Sequence, residues 1–128
     1  MTTFGALLRA QNIYDWPTDR SSLDAWFSGI QDIPIDELSV GDLARSIRQN
    51  LFLEHVLPKA EVYLRDDALA GENYEGELLD AISLLSKTQV DPVLTNLKQI
   101  SDYLSTLNMA GFDSQLIESI ERIARLAC

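Results

Sequence analysis

Asp66, Asp67, Glu72, Asn73, Glu75, Glu77 and Asp80 gather carboxylates and one amide into a short stretch, with the ring of Tyr74 in their midst. Such a group can hold a cation or attract a basic surface. A calcium loop requires ligands that alternate strictly along the chain, and this spacing does not alternate. Two readings remain: the punctuation of a helix start, and a surface that meets something basic. Gly71 and Gly76 bracket the centre of the stretch, and an apolar helical run follows at once. Glu75 and Glu77 are predicted in the first turn of that run, where the helix macrodipole favours anions. Gly71 is expected to supply a turn of positive φ, and Tyr74 to pack its ring on the core.

Elsewhere no catalytic set assembles. The sole histidine, His55, follows Glu54 on a predicted helix, and adjacent helical residues point about 100° apart, so the two form no acid–base dyad. The sole cysteine, Cys128, has no base near it in the sequence. There is no glycine-rich phosphate loop and no histidine or cysteine set at metal spacing, so neither metal nor cofactor is expected. The stretch "GFDSQLIESIERI" resembles the Asp-Ser-Leu turn on which acyl carrier proteins bear phosphopantetheine. Here Gln115 follows Ser114, Leu116 comes one place late, and residues 115–128 are too few for the two further helices of such a carrier. Asp113 or Ser114 is instead read as the cap of the last helix.

The 128 residues predict one domain, and a chain of that length buries enough surface to fold without a staple. Acidic residues outnumber basic ones 20 to 10, a formal net charge of −10. Phosphate backbones are repelled by such a chain, so direct nucleic-acid binding is not expected, whereas a basic protein is steered towards it. A single cysteine permits no intrachain disulfide. The first residues lack the basic start and small-residue cleavage site of a secretory signal, and no apolar run approaches the ~18 residues of a membrane span. A cytoplasmic protein away from the membrane is expected.

The elements that must position the acidic stretch read as helices throughout. Phe4, Leu7 and Leu8 mark a first helix ending near Asn12. "DWPTDR" is a loop around Pro17, and Ser21 or Ser22 caps a helix carrying Leu23, Trp26, Phe27 and Ile30. Ile33-Pro34-Ile35 reads as an extended connector. Ser39 and Asp42 have the spacing of a capping box before Val40, Leu43, Ala44 and Ile47, and Asn50 ends that helix. Phe52, Val56, Ala60, Tyr63 and Leu64 keep helical spacing, with Pro58 either kinking the helix or marking its start. Leu78, Leu79, Ile82 and Leu85 stripe the next helix. Asp91-Pro92 caps a run from Val93 to Leu107, predicted to be the longest helix. Phe112, Leu116, Ile120 and Ile123 stripe the last. No segment alternates with period 2, so the fold class is all-α, a single-domain bundle of six or seven helices.

Two stretches, "LSVGDLARSIRQN" and "LPKAEVYLRDDALAGENYEGELLDAI", resemble the immunity proteins of bacterial contact-dependent growth inhibition (CDI) systems. The resemblance rests on Leu38, Val40, Asp42 and Leu43; on Gln49, Leu57, Pro58 and Leu64; and on Leu69, Gly71, Glu72, Tyr74, Gly76, Glu77, Leu78 and Leu79. Trp16-Pro17 and Leu23 are similar to the family's tryptophan-proline loop and following helix. It covers about residues 7–85 and leaves 88–128 as an extra helical hairpin. Arg48 stands where glycine is usual, Glu75 where proline is frequent, and "FLEHV" is more polar than the usual run. The resemblance implies a non-enzymatic protein that binds and neutralises, one to one, the cognate C-terminal toxin domain of a large effector, many such toxins being nucleases. Asp42, Pro58, Gly71, Tyr74 and Gly76 would then be architecture. Asp66, Asp67, Glu72, Asn73, Glu75, Glu77 and Asp80 are the first candidates for toxin contact. The competing reading is a small acidic all-α adaptor that binds a basic protein without neutralising it.

Overall fold

A computed structural model describes residues 2–10, 26 and 29–128. The expected loop at Trp16-Pro17 and the cap at Ser21 or Ser22, with Leu23 and Phe27, lie outside the described residues. Among those described, the secondary structure is helix, short 3-10 turns and one isolated bridge, so the chain is all-α as its periodicity predicts. It divides into two compact units, Met1–Leu38 and Ser39–Cys128.

In the first unit, α1 (Phe4–Ala10) is capped by Thr3, whose hydroxyl accepts from the Ala6 amide at 3.0 Å. Thr3 and Pro34 form the isolated antiparallel bridge, with Ile35 N donating to the Thr2 carbonyl at 2.8 Å and Gly5 N to that of Gln31 at 2.8 Å. Pro34 is extended, as expected, but the connector stops there. Ile35–Glu37 winds into a 3-10 turn because Glu37 N returns to the Pro34 carbonyl at 2.8 Å.

In the second unit, α2 (Val40–Arg48) begins where Ser39 Oγ accepts from Asp42 N at 3.2 Å, and it buries Leu43, Ala44 and Ile47. The turn that follows holds two non-glycine residues in the left-handed region, Asn50 at φ 56° and Phe52 at φ 44°. Asparagine tolerates that region; a phenylalanine there is strained. Next, α3 (Leu53–Asp66) continues through Pro58, so the proline does not mark the helix start. Glu54 and Pro58 are both exposed, which leaves the carbonyl that Pro58 cannot serve on the solvent side.

The short α4 (Glu77–Ser83) buries nearly every residue, Leu78, Leu79, Ala81 and Ile82 among them. A helix buried on nearly every side must be enclosed, and α4 packs on both α2 and α7. Beyond it, α5 (Lys87–Val90) starts at a reciprocal capping box between Ser86 and Gln89 rather than at Asp91-Pro92. Asp91–Val93 forms a 3-10 turn that leads into α6 (Leu94–Leu104). The predicted ranking of lengths is therefore reversed: α3 has 14 residues and α6 has 11. Finally, α7 (Ser114–Leu126) is tied at its far end by Lys87, whose ammonium donates to the carbonyls of Leu126 at 3.1 Å and Cys128 at 2.8 Å. Cations suit a helix C-terminus. Helix α2 packs on α3, α3 on α6 and α6 on α7, around Ile47, Leu57, Leu64, Leu79, Leu97, Ile100 and Ile123.

Asp113, not Ser114, caps α7, its Oδ1 accepting from Leu116 N at 2.8 Å. Asp113→Ala should lower stability by about 1 kcal/mol, and Ser114→Ala by less than about 0.5 kcal/mol. Urea unfolding of the two variants measures both, and a larger loss at Ser114 would reassign the cap.

Candidate functional site

Residues 67–76 join α3 to α4. At the entry, Asp67 N donates to the Tyr63 carbonyl at 2.8 Å, while its Oδ1 accepts from Leu69 N at 2.9 Å, an Asx turn that stops the helix. At the exit, Gly76 N reaches the Leu69 carbonyl at 2.9 Å and Leu78 N that of Ala70 at 3.2 Å. The loop is thereby closed on itself by its own backbone.

Its centre is Glu77, which the sequence places among exposed carboxylates and the structure buries to 1% exposure. Its Oε1 accepts from the backbone amides of Glu72 at 3.0 Å and Asn73 at 3.3 Å, and its Oε2 from the Asn73 side-chain amide at 2.8 Å. Arg48 stands 3.7 Å from Oε2. Burial alone pushes the carboxyl up. The three hydrogen bonds and the guanidinium outweigh it and hold Glu77 below the ordinary glutamate value. Glu77 and Asn73 thus fasten the loop.

The glycines exchange their expected roles. Gly76 carries the positive φ, 83°, as the cap before α4, and Leu116 of α7 lies where its side chain would project. Gly71 has no positive φ; it is needed for room, because a Cβ there would collide with the Tyr74 carbonyl and stand 2.8 Å from Glu77 Cβ. Glu75 lies before the cap, outside the first turn of α4. Tyr74 is not core: its ring is 45% exposed, and its hydroxyl donates to Asp80 Oδ2 at 2.7 Å. Desolvation, then the hydrogen bond to Asp80, pushes its pKa up to about 12, so it stays a donor across the physiological range.

The remaining candidates form the outer surface. Asp66, Asp67, Glu72 and Glu75 are exposed, Asn73 shows its outer side, and Asp80 is half-buried. Glu72 rests against the first turn of α2, where a Cβ on Gly41 would stand 2.8 Å from its carboxyl carbon. The nearest basic neighbour in sequence, Arg65, is occupied by Glu61 at 2.8 Å and by the Tyr103 ring, 4.7 Å to the centroid. Tyr74, Glu75, Gly76 and Asp80 meet Asp113, Gln115, Leu116 and Ser119 of the distant α7 around a recess of about 30 Å³. The sequence reading missed this meeting, and missed Arg48 as a partner. Only the shared helical stripe of Leu116 hinted that α7 faces the same core. His55 is exposed on α3, and the Cys128 thiol donates to the Ala124 carbonyl at 3.2 Å. Among the described residues, no group of three or more histidine, cysteine or acidic side chains is placed to hold a metal.

The sequence model of a family described as CDI immunity proteins matches residues 8–100. The chain belongs to the CDI immunity proteins. The match runs past residue 85 through α5 and into α6, further than the sequence resemblance, and the end of α6 and all of α7 lie beyond it. In this immunity protein the fastened loop lies within the family match, whereas the α7 side of the recess falls outside it. No curated protein sequence matches the chain.

Glu77→Gln keeps the shape and removes the charge, presenting an N–H₂ group to donors. It should cost about 1.5–3 kcal/mol at neutral pH. Because the folded pKa is depressed, this stability is fully present above the ordinary value of 4.5 and is lost as pH falls through the folded value. The gap between wild type and variant in urea unfolding should therefore narrow in acid. A gap independent of pH would show that the charge of Glu77 contributes nothing.

Proposed function

We propose that this protein acts in the cytosol as the inhibitor of the toxic C-terminal domain of a CDI effector, binding it one to one and acting by occupation rather than turnover. Membership of the immunity-protein family supports a protective role. The observation that carries the finer reading is the exposed acid around a rigid loop. Asp66, Asp67, Glu72 and Glu75 face solvent, and among the described residues none of them is in an ion pair. With a net charge of −10 behind them, they complement a basic surface of the kind a nuclease needs for phosphate. A nuclease toxin is thus the best-matched partner. No helix among the described residues is long and apolar enough to cross a membrane, in keeping with action on a toxin that has already entered.

Titrating the protein against the toxin domain encoded beside its gene should give inhibition that saturates near one equivalent. His55→Gln should alter neither endpoint nor slope. Protection by a tenth of an equivalent that grows with time would replace this reading with an enzymatic one.

Steering is tested separately. Reversing Asp67 and Glu72 together to lysine should slow association roughly tenfold at low salt and flatten its salt dependence, with helicity unchanged by circular dichroism. Unaltered association kinetics would move the interface away from this loop.

A further inference from the structure

The recess between the loop and α7 has chemistry that the loop's architecture does not use. Glu75, Asp80 and Asp113 all line it, and among the described residues none of the three is in an ion pair. Asp80 commits Oδ2 to the Tyr74 hydroxyl and Asp113 commits Oδ1 to Leu116 N, and among the described residues the second oxygen of each has no donor. Acidic residues alone do not make a site. Ser119 adds an independent observation. It is 4% exposed and lines the recess, yet among the described residues its hydroxyl has no hydrogen-bond partner. The other buried serines, Ser46 and Ser83, each donate to a carbonyl of their own helix at 2.7 Å. No side-chain oxygen sealed from solvent lacks a partner among the described residues, so the Ser119 oxygen keeps some access to solvent, and the recess is the opening that Ser119 lines.

We propose that this recess seats the cationic head of one lysine or arginine side chain of the partner protein. The inference rests on the inhibitor reading above and names the group that the inhibitor holds. Open carboxylate oxygens and a serine hydroxyl accept from N–H donors on one cation. The exposed Tyr74 ring offers its face to the same charge, and buried Leu116 offers an apolar surface to the methylene stem. A recess of about 30 Å³ admits one side-chain head and excludes a nucleotide or a drug-sized ligand. An anion is disfavoured even though a helix N-terminus lies here, because Asp113 already occupies that terminus.

Two measurements on the full chain test the seat. In complex with the toxin domain, Asp80→Asn should raise the dissociation rate about tenfold or more while leaving association nearly unchanged, the reverse of the loop charge reversal. Asparagine still accepts from Tyr74, so the fold is retained. Ser119→Ala should act in the same direction by a smaller factor. Without toxin, N-acetyl-lysine amide and N-acetyl-arginine amide should shift the amide resonances of Gly76, Leu116 and Ser119 saturably in the millimolar range, and the shifts should vanish in Asp80→Asn. Whichever amide binds identifies the head group. Shifts reproduced by N-acetyl-glycine amide at matched ionic strength, or dissociation unchanged in both variants, would overturn the seat while leaving toxin inhibition intact. A wild-type protein that binds the amides but not the toxin would keep the seat and remove the inhibitor reading.

Discussion

A carboxylate held out of water organises the second unit. Burying an ionised group is costly unless charge and hydrogen bonds surround it, and Glu77 is surrounded on each side. Two loop amides and the Asn73 side chain bind it from one direction and Arg48 from another. Each neighbour's conformation then follows. Gly71 must lack a Cβ because the Tyr74 carbonyl and the stem of Glu77 crowd the place where one would be, and Gly76 turns left-handed immediately before Glu77. With Glu77 beneath, Tyr74 is lifted outward onto Asp80 and the remaining acids are left facing solvent. The outer charge is thus presented by an inner one.

The helix that carries Glu77 could not stand alone. Seven residues are well short of what an isolated helix needs in water, so α4 exists because α2 and α7 enclose it. The dependence runs both ways. Leu116 covers Gly76 and thereby holds the loop from the α7 side, while Arg48 holds it from α2. A loop that looks like a surface feature in sequence is braced by helices separated from it by tens of residues. Such bracing suits the contact surface proposed for the loop, because braced acids would lose little freedom when a partner docks.

Where the sequence was legible, the signal was local. The Ser39 cap, the apolar stripe of α2 and the cap at Asp113 all follow from spacing within one or two turns, and the structure has them. Where it misled, a tertiary fact decided. A carboxylate in the first turn of a helix reads the same whether it faces solvent or the loop, so the burial of Glu77 had no signature. Two glycines five apart gave no way to tell which needs φ above zero and which needs space. Asp91 with Pro92 does mark a start, the 3-10 turn that leads into α6, but the four-residue α5 before it has no apolar stripe to announce it and rests on the reciprocal cap of Ser86 and Gln89. Pro58 suggested a kink or a helix start, yet α3 is the longest helix among the described residues because the proline faces water.

The acidic residues therefore divide by distance of action. Exposed charges act through solvent, and their reach is limited to roughly 8–10 Å at physiological salt. At that range Asp66, Asp67, Glu72 and Glu75 attract any basic surface, and attraction of this kind speeds encounter without choosing among partners. Choice requires groups that act at contact, where a misplaced donor leaves a desolvated acceptor unpaired. The part of the surface with that character is where the family framework meets α7: Asp80 and Tyr74 come from within the matched region, Asp113 and Ser119 from beyond it. A change in α7 can reshape that recess without touching the Glu77 cluster, because the loop's hydrogen bonds to Glu77 are made by residues 72 and 73. The architecture thus separates the interaction that keeps the loop folded from the recess proposed to meet the partner.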